Sequence, residues 1–384
     1  MASTLASGHP WVDASDPIAV LPKVSLHDHL DGSIRPETLV EIAIEQGEAD
    51  RLPSRDPVAV EAWLQGRGDL PRPSDHTELF ALLCSVMQTP ETIRRVAAEY
   101  VATAAADGVV YAESRWAPEK HLLRGMGLDD AVVAVAAGLD DGMARAAADG
   151  RPIIVRQLLC GMRDTRRTAE IAHLALRHRH LGVVGYDLAG VESGFPAASH
   201  REAYDICHDA NLPTTLHAGE GEGVGSVWEA VQRCHAQRIG HGTRIVEDLS
   251  IGGHPLTAAT AVAAWHDAGR DPSMVEVGPL AAYIRDRRIP LEQCPTSNSR
   301  WVVPSFEAHP VDLFRRLGFT VTVNPDNRLL AGASVSSELR RLVEVFGWSD
   351  HDILEVTLAG LDAAFIDVAT RRQLRDDVVL PAFA

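Results

Sequence analysis

An α/β chain closed as an eight-fold (β/α) barrel is the fold the sequence predicts, on three observations. Strand-like apolar runs alternate with helical patterns eight times within 384 residues. Several of those runs are continuously apolar, as strands buried on both faces must be. Polar residues, histidine above all, collect at the carboxyl ends of the runs, where barrels of this type carry their chemistry. A doubly wound sheet would not supply eight such units with so many polar strand ends. The chain reads as one domain over 1–384, with 1–20 a loose lead-in holding Pro10 and Pro17. Extra helices form a lid over the carboxyl face.

The first strand lies in KVSLHDHLDGS, residues 23–33. Val24, Leu26 and Leu30 are apolar, while His27, His29 and Asp31 recur at a spacing of two and so share one strand face. Residues 35–47 form a helix opened by Pro36. The polar stretch 51–72, with Pro53, Pro57 and Pro71, reads as a surface excursion. Leu79, Phe80, Leu82, Leu83 and Met87 place a helix over 76–87, and Pro90 opens a longer one to Ala106. Strands then fall at 109–116, 152–160, 183–190, 213–219, 238–242, 289–295 and 320–325. Helices between them fall at 129–147, 165–178, 200–209, 226–234, 280–287 and 311–317, with further helices to the end. Residues 252–273 read as an insertion before the Leu280 helix.

Hydrophobic residues make up 46% of the chain, enough for a large core. A net charge of −17 argues against a nucleic-acid binder, which needs a basic face. No run is apolar enough to span a bilayer and no signal segment is visible, so a cytoplasmic protein with no membrane partner is expected. The five cysteines are scattered without a C-x-x-C pair, against both a disulfide framework and a thiolate metal site. Cys294, beside polar residues at a strand end, is the one candidate nucleophile among them.

Reading only the strand ends gives His27, His29 and Asp31, then Glu113 and Arg115, Asp187 and Gly190, His217 and Glu220, His241, and Asp326 with Asn327. Three histidines and one aspartate can hold a divalent ion and leave a position for water, whose pKa the ion lowers toward neutrality. Glu220, three residues after His217, can give or take a proton beside it. Asp187, Glu113 and Arg115 read as ion pairs inside the barrel. Phe80, Leu83 and Met87 read as core, with an apolar gate as the alternative.

The motifs HDHLDGS, DLAG, HAGE, RIGHG and NPDN, in that order between residues 21 and 340, resemble the adenosine deaminase family of zinc amidohydrolases, in its actinobacterial type. That resemblance implies a (β/α)8 barrel with one zinc ion per chain. It places the metal ligands at His27, His29, His217 and Asp326, and the purine N1 proton donor at Glu220. His241 would position and polarise the attacking hydroxide, with Asp326 accepting a hydrogen bond from it. The Gly190 backbone would meet the purine, Asp31 with His29 the ribose 5′ side, and Asn327 the purine N7. The activity implied is hydrolysis of adenosine to inosine with release of ammonia.

Two departures concern the substrate. Asn327 stands where animal-type members have a second aspartate; its amide donates regardless of pH, so the N7 contact survives. In SNSRWVVP, residues 297–304, Arg300 and Trp301 could receive an anionic or aromatic group on the 5′ carbon. The rival substrate is therefore a 5′-extended nucleoside of the aminodeoxyfutalosine type. Free adenine is disfavoured because adenine-specific relatives tend to show Glu where Asp31 stands. A two-metal amidohydrolase is disfavoured because 183–190 holds no lysine to bridge the ions. A non-catalytic binder would need neither Glu220 nor His241.

Overall fold

The computed structural model describes residues 9, 11–13, 15–67 and 73–384. Strands β1 (Lys23–His29), β2 (Val109–Trp116), β3 (Ile154–Met162) and β4 (Val183–Ala189) pair in that order, all parallel. Strands β5 (Thr215–Ala218) and β6 (Arg238–His241) begin a second set. Three strands then leave it: β7 (Leu249–Ile251), β8 (His254–Pro255) and β9 (Val275–Val277) make a small antiparallel sheet with β7 central. Strands β10 (Leu291–Gln293) and β11 (Val321–Val323) complete the second set in the order β5-β6-β10-β11. Parallel bridges between Tyr186 and Thr214 and between Asp28 and Asp326 join the two sets at both seams. These bridges close the barrel.

Strand, crossover and return strand repeat because each strand is buried on both faces and needs cover outside and in. The outer cover is helical, as in Pro90–Ala106 against Leu128–Ala148. The inside is unusual. Where apolar layers are the rule, β2, β4, β6 and β10 send in charges. Arg115 bridges Asp187 at 2.8 Å and Glu292 at 2.6 Å, and Arg238 bridges Glu292 at 2.7 Å and Glu113 at 2.6 Å. All five side chains are buried, and only mutual pairing offsets their desolvation. Glu113 thus pairs with Arg238 and not with its neighbour Arg115.

Two expectations are corrected, and a third gains detail. The stretch 51–72 holds a helix, Pro57–Arg67, with Val60 and Leu64 buried four residues apart; 68–72 lie outside the described residues. Proline misled the reading there, because at the first position of a helix its missing N–H costs nothing. The insertion expected at 252–273 carries its own helix, Ala261–Asp267, with Trp265 wholly buried, between β8 and β9. Within the lead-in, residues 1–8, 10 and 14 lie outside the described set, and the remainder is stitched down. Trp11 Nε1 donates to Glu61 at 2.7 Å, Arg340 pairs with Asp16, and the Lys23 ammonium caps the Ile18 and Leu21 carbonyls at 2.6 Å each.

Helix Pro73–Val86 brings Phe80 over the mouth, its ring edge-on to His29 with centroids 6.3 Å apart. Leu83 and Met87 are buried in the core. Of the three gate candidates, only half-buried Phe80 stands where a gate can act.

Candidate metal and catalytic site

Four ligand atoms from three parts of the chain meet at one end of the barrel. His27 and His29 come from the end of β1, His217 from β5 and Asp326 from just beyond β11. His29 Nε2 lies 3.3 Å from His217 Nε2, and Asp326 Oδ1 lies 3.6 Å from His27 Nε2 and 3.4 Å from His29 Nε2. Ligands about 2.0–2.1 Å from a tetrahedral ion stand about 3.3–3.4 Å apart; the three histidines form one close group, and Asp326 stands at 3.4 and 3.6 Å from two of them.

The protonation of the rings agrees. His27 Nδ1 faces Glu292 Oε2 at 3.0 Å, and His217 Nδ1 faces Asp187 Oδ2 at 3.0 Å. Each carboxylate holds the ring hydrogen on Nδ1 and leaves the Nε2 lone pair pointing inward. His27 Nε2 is buried with no protein hydrogen-bond partner, the mark of a nitrogen awaiting a ligand. Burial lowers the pKa of His217 and takes that of His29 down to about 3, so both rings are neutral donors. For His27, burial and the Arg115 charge push down, but the neighbouring carboxylates of Asp326 and Glu292 shift it upward. Burial opposes ionisation of Asp326, yet His27 at its side and the charges of His29 and His241 hold its carboxyl well below the usual range. The site carries negative charge that a cation neutralises.

Two backbone devices make the crowding possible. Gly240 has no Cβ; one placed there would lie 3.1 Å from both His27 Cε1 and His217 Cα. His241 and Asp326 sit in the left-handed region at φ 58° and 61°, at a cost of about 1–3 kcal/mol each. Asp326 is pinned there by donors, with Ser297 Oγ at 2.6 Å from Oδ2 and Asn327 Nδ2 at 2.8 Å from Oδ1.

Glu220 completes the group, its Oε2 3.4 Å from His241 Nε2. Burial foremost, then the charges of Asp326 and Glu192, raise its pKa well above the ordinary range, so the carboxyl keeps its proton. The loop beneath it is held by a residue the sequence did not single out. Glu192 accepts from four successive backbone N–H groups, those of Gly219, Glu220, Gly221 and Glu222, at 3.0–3.3 Å. A carboxylate whose partners are all backbone leaves no side-chain pattern to find. Glu292 did leave one, as a lone charge inside the short strand LEQ.

Asp31 lies just past β1 and belongs to this group. Its Oδ2 accepts from Ala117 N at 3.0 Å, and its Oδ1 is buried without a partner, 3.8 Å from His29 Nδ1. Gly190, at φ 101°, ends β4 in the open beside Met162 and Arg163. Arg300, expected to meet the substrate, is engaged with backbone carbonyls. Its guanidinium donates to the Gln65 carbonyl at 2.8 Å and the Ala331 carbonyl at 2.9 Å, tying neighbouring segments together. Trp301 does reach the mouth. With Glu220, Gly221, Arg244, Glu247 and Thr257 it lines a cleft of about 260 Å³, so the insertion helps to wall the entrance. Cys294 is no nucleophile: it is fully buried, and burial foremost pushes its thiol well above the usual range.

The pattern of the family described as Adenosine deaminase matches residues 22–380. An adenosine deaminase of Mycobacteroides abscessus is 43% identical over 368 residues, spanning 96% of each chain. The chain belongs to the adenosine deaminase family. Another member, from Mycobacterium ulcerans, is 44% identical over 370 residues, covering 96% of this chain and 97% of that one. Among solved structures, an amidohydrolase from Burkholderia ambifaria with bound zinc superposes with a TM-score of 0.77 at 26% identity, covering 95% of this chain and 91% of that one. The Arabidopsis N6-mAMP deaminase gives 0.73 at 27% identity, covering 93% and 97%. Family membership and the (β/α)8 barrel agree with the sequence reading. No helix among the described residues is long and apolar enough to cross a membrane.

Proposed function

We propose that this enzyme is a zinc-dependent hydrolytic deaminase of adenosine, replacing the 6-amino group by oxygen to give inosine and ammonia. The observation that carries the reading is one pocket holding four convergent ligand atoms and a carboxyl that keeps its proton. His27, His29, His217 and Asp326 hold one zinc ion per chain. When bound, that ion supplies Lewis acidity, making water a nucleophile near neutral pH.

The remaining chemistry belongs to the chain. Glu220 gives its proton to purine N1, which makes C6 more electrophilic and takes up charge as the ring is attacked. His241 and Asp326 orient the attacking oxygen over C6. An Asn327 amide nitrogen has two hydrogens, one donated to Asp326 and the second serving N7. The Gly190 backbone meets the base, and the unpartnered Asp31 Oδ1 takes the 5′-hydroxyl beside His29. A 5′-anionic substrate has lost its main support, because Arg300 is engaged with Gln65 and Ala331. A cytoplasmic location completes the reading, supported by five buried free thiols.

The test is a panel of adenosine, 2′-deoxyadenosine, adenine, AMP and a 5′-aryl-extended adenosine, with ammonia release as the readout and metal content measured alongside. Adenosine should turn over with one zinc per chain, and Glu220→Gln should keep the zinc while losing about 10²–10⁴ in kcat. No ammonia from any substrate, or a fully active Glu220→Gln, would sink the proposal.

A further inference from the structure

Behind His241 runs a chain of hydrogen bonds that begins at a backbone group and ends in the pocket. Val311 N–H can only donate, and it donates to His309 Nδ1 at 3.2 Å. His309 is wholly buried, and burial takes its pKa down to about 3, so the ring is neutral. A neutral imidazole that accepts at Nδ1 carries its hydrogen on Nε2. That nitrogen lies 3.2 Å from the Asn298 side-chain oxygen, which also accepts from Thr243 Oγ1 at 2.9 Å. With the oxygen so assigned, the other end of the Asn298 amide is its NH2, 3.1 Å from His241 Nδ1. An amide NH2 only donates, so His241 Nδ1 accepts.

We infer that Asn298 and His309 are positioning residues that hold His241 in the tautomer with its hydrogen on Nε2. That nitrogen is the one facing Glu220 Oε2 at 3.4 Å. Toward the reacting atoms His241 is therefore a hydrogen-bond donor and not a proton acceptor. It stabilises negative charge on the entering oxygen, and the base for that oxygen must be another group. Asn298 is fit to impose this. It is buried, its backbone N–H reaches the Cys294 carbonyl at 2.9 Å, and its own carbonyl takes the N–H groups of Val302 and Val303 at 2.9 and 3.1 Å. It has little freedom to turn. The catalytic consequence rests on the deaminase reading, whereas the tautomer is readable without turnover.

The experiment is long-range proton–nitrogen NMR on the histidine-labelled protein, with His241→Gln used to assign the His241 signals. The expected result is an unprotonated Nδ1 and a protonated Nε2. Asn298→Asp puts an acceptor where the donor stood, and should move the hydrogen to Nδ1 and lower kcat by about 100-fold with little change in KM. His309→Phe should lower kcat by about tenfold, and His309→Gln, which can donate to Asn298 again, should recover most of it. A wild-type His241 protonated on Nδ1 overturns the inference. So does a folded, metal-loaded Asn298→Asp with unchanged tautomer and kcat. If the wild type deaminates nothing, the deaminase reading fails, and the NMR result still decides the tautomer.

Discussion

Replacing Glu192 by alanine removes the acceptor for four consecutive backbone N–H groups. Oε1 takes those of Glu220 and Gly221 at 3.0 and 3.2 Å, and Oε2 those of Gly219 and Glu222 at 3.3 and 3.2 Å. A hydrogen bond to a charged group contributes about 1.5–3 kcal/mol, but four bonds to one carboxylate do not add, and water can reach part of this loop. A stability loss of about 3 kcal/mol follows. The catalytic loss is the larger signal, because the freed loop carries Glu220, and a displacement of about 1 Å costs about 100-fold in rate. Glu192→Gln keeps one oxygen, so two of the bonds survive whichever way the amide turns, and both losses should be intermediate. The charge also matters. Without it Glu220 is easier to ionise, and since Glu220 works protonated, the alkaline fall in kcat/KM should move to lower pH in Glu192→Gln. Steady-state kinetics with adenosine across pH, chemical denaturation and metal content read all three effects. A Glu192→Ala enzyme with wild-type kcat and an unmoved pH profile would refute the reasoning.

Asp187→Asn should weaken metal affinity by about 10–100-fold, since it removes the carboxylate that orients His217; competition with a chelator measures it, and unchanged affinity would count against the ligand assignment. Arg300→Ala should lower stability by about 1–3 kcal/mol while leaving the preference between adenosine and a 5′-anionic analogue unaltered; a selective loss with the anionic analogue would restore Arg300 to the substrate site. Glu338, buried and accepting from Thr296 N, has its pKa raised by burial to about 7. Between about pH 4.5 and 7 the folded chain holds a proton that the unfolded chain has lost, so stability falls as pH rises through this window, by about 3 kcal/mol. Glu338→Gln should flatten that part of the stability curve, and an unchanged slope would exclude Glu338 as its source.

The barrel was legible because its signal is local. A strand buried on both faces must be apolar, and its end shows as the place where polar residues begin, so β1 through β6, β10 and β11 each left a mark in the sequence. Helix Pro57–Arg67 and the helix inside the insertion were not legible. Proline and polar composition look the same in a loop and at the exposed face of a short helix.

The site divides in the same way. His27, His29, His217, Glu220, His241 and Asp326 were each recognisable, because histidine or a carboxylate at the end of an apolar strand is costly unless it has work to do. The sequence by itself thus determined the fold class and offered the residues proposed as metal ligands and proton donor. Only the tertiary structure decided what holds them. Glu292 behind His27, Asp187 behind His217, Glu192 beneath Glu220 and the pair Asn298 and His309 behind His241 act across 11 to 265 positions of chain or through backbone groups. The structure also tied Arg300 to the carbonyls of Gln65 and Ala331, 235 and 31 residues distant. Pairings of that kind are set by which strand ends and loops the closed barrel brings together, and no local pattern of residues records them.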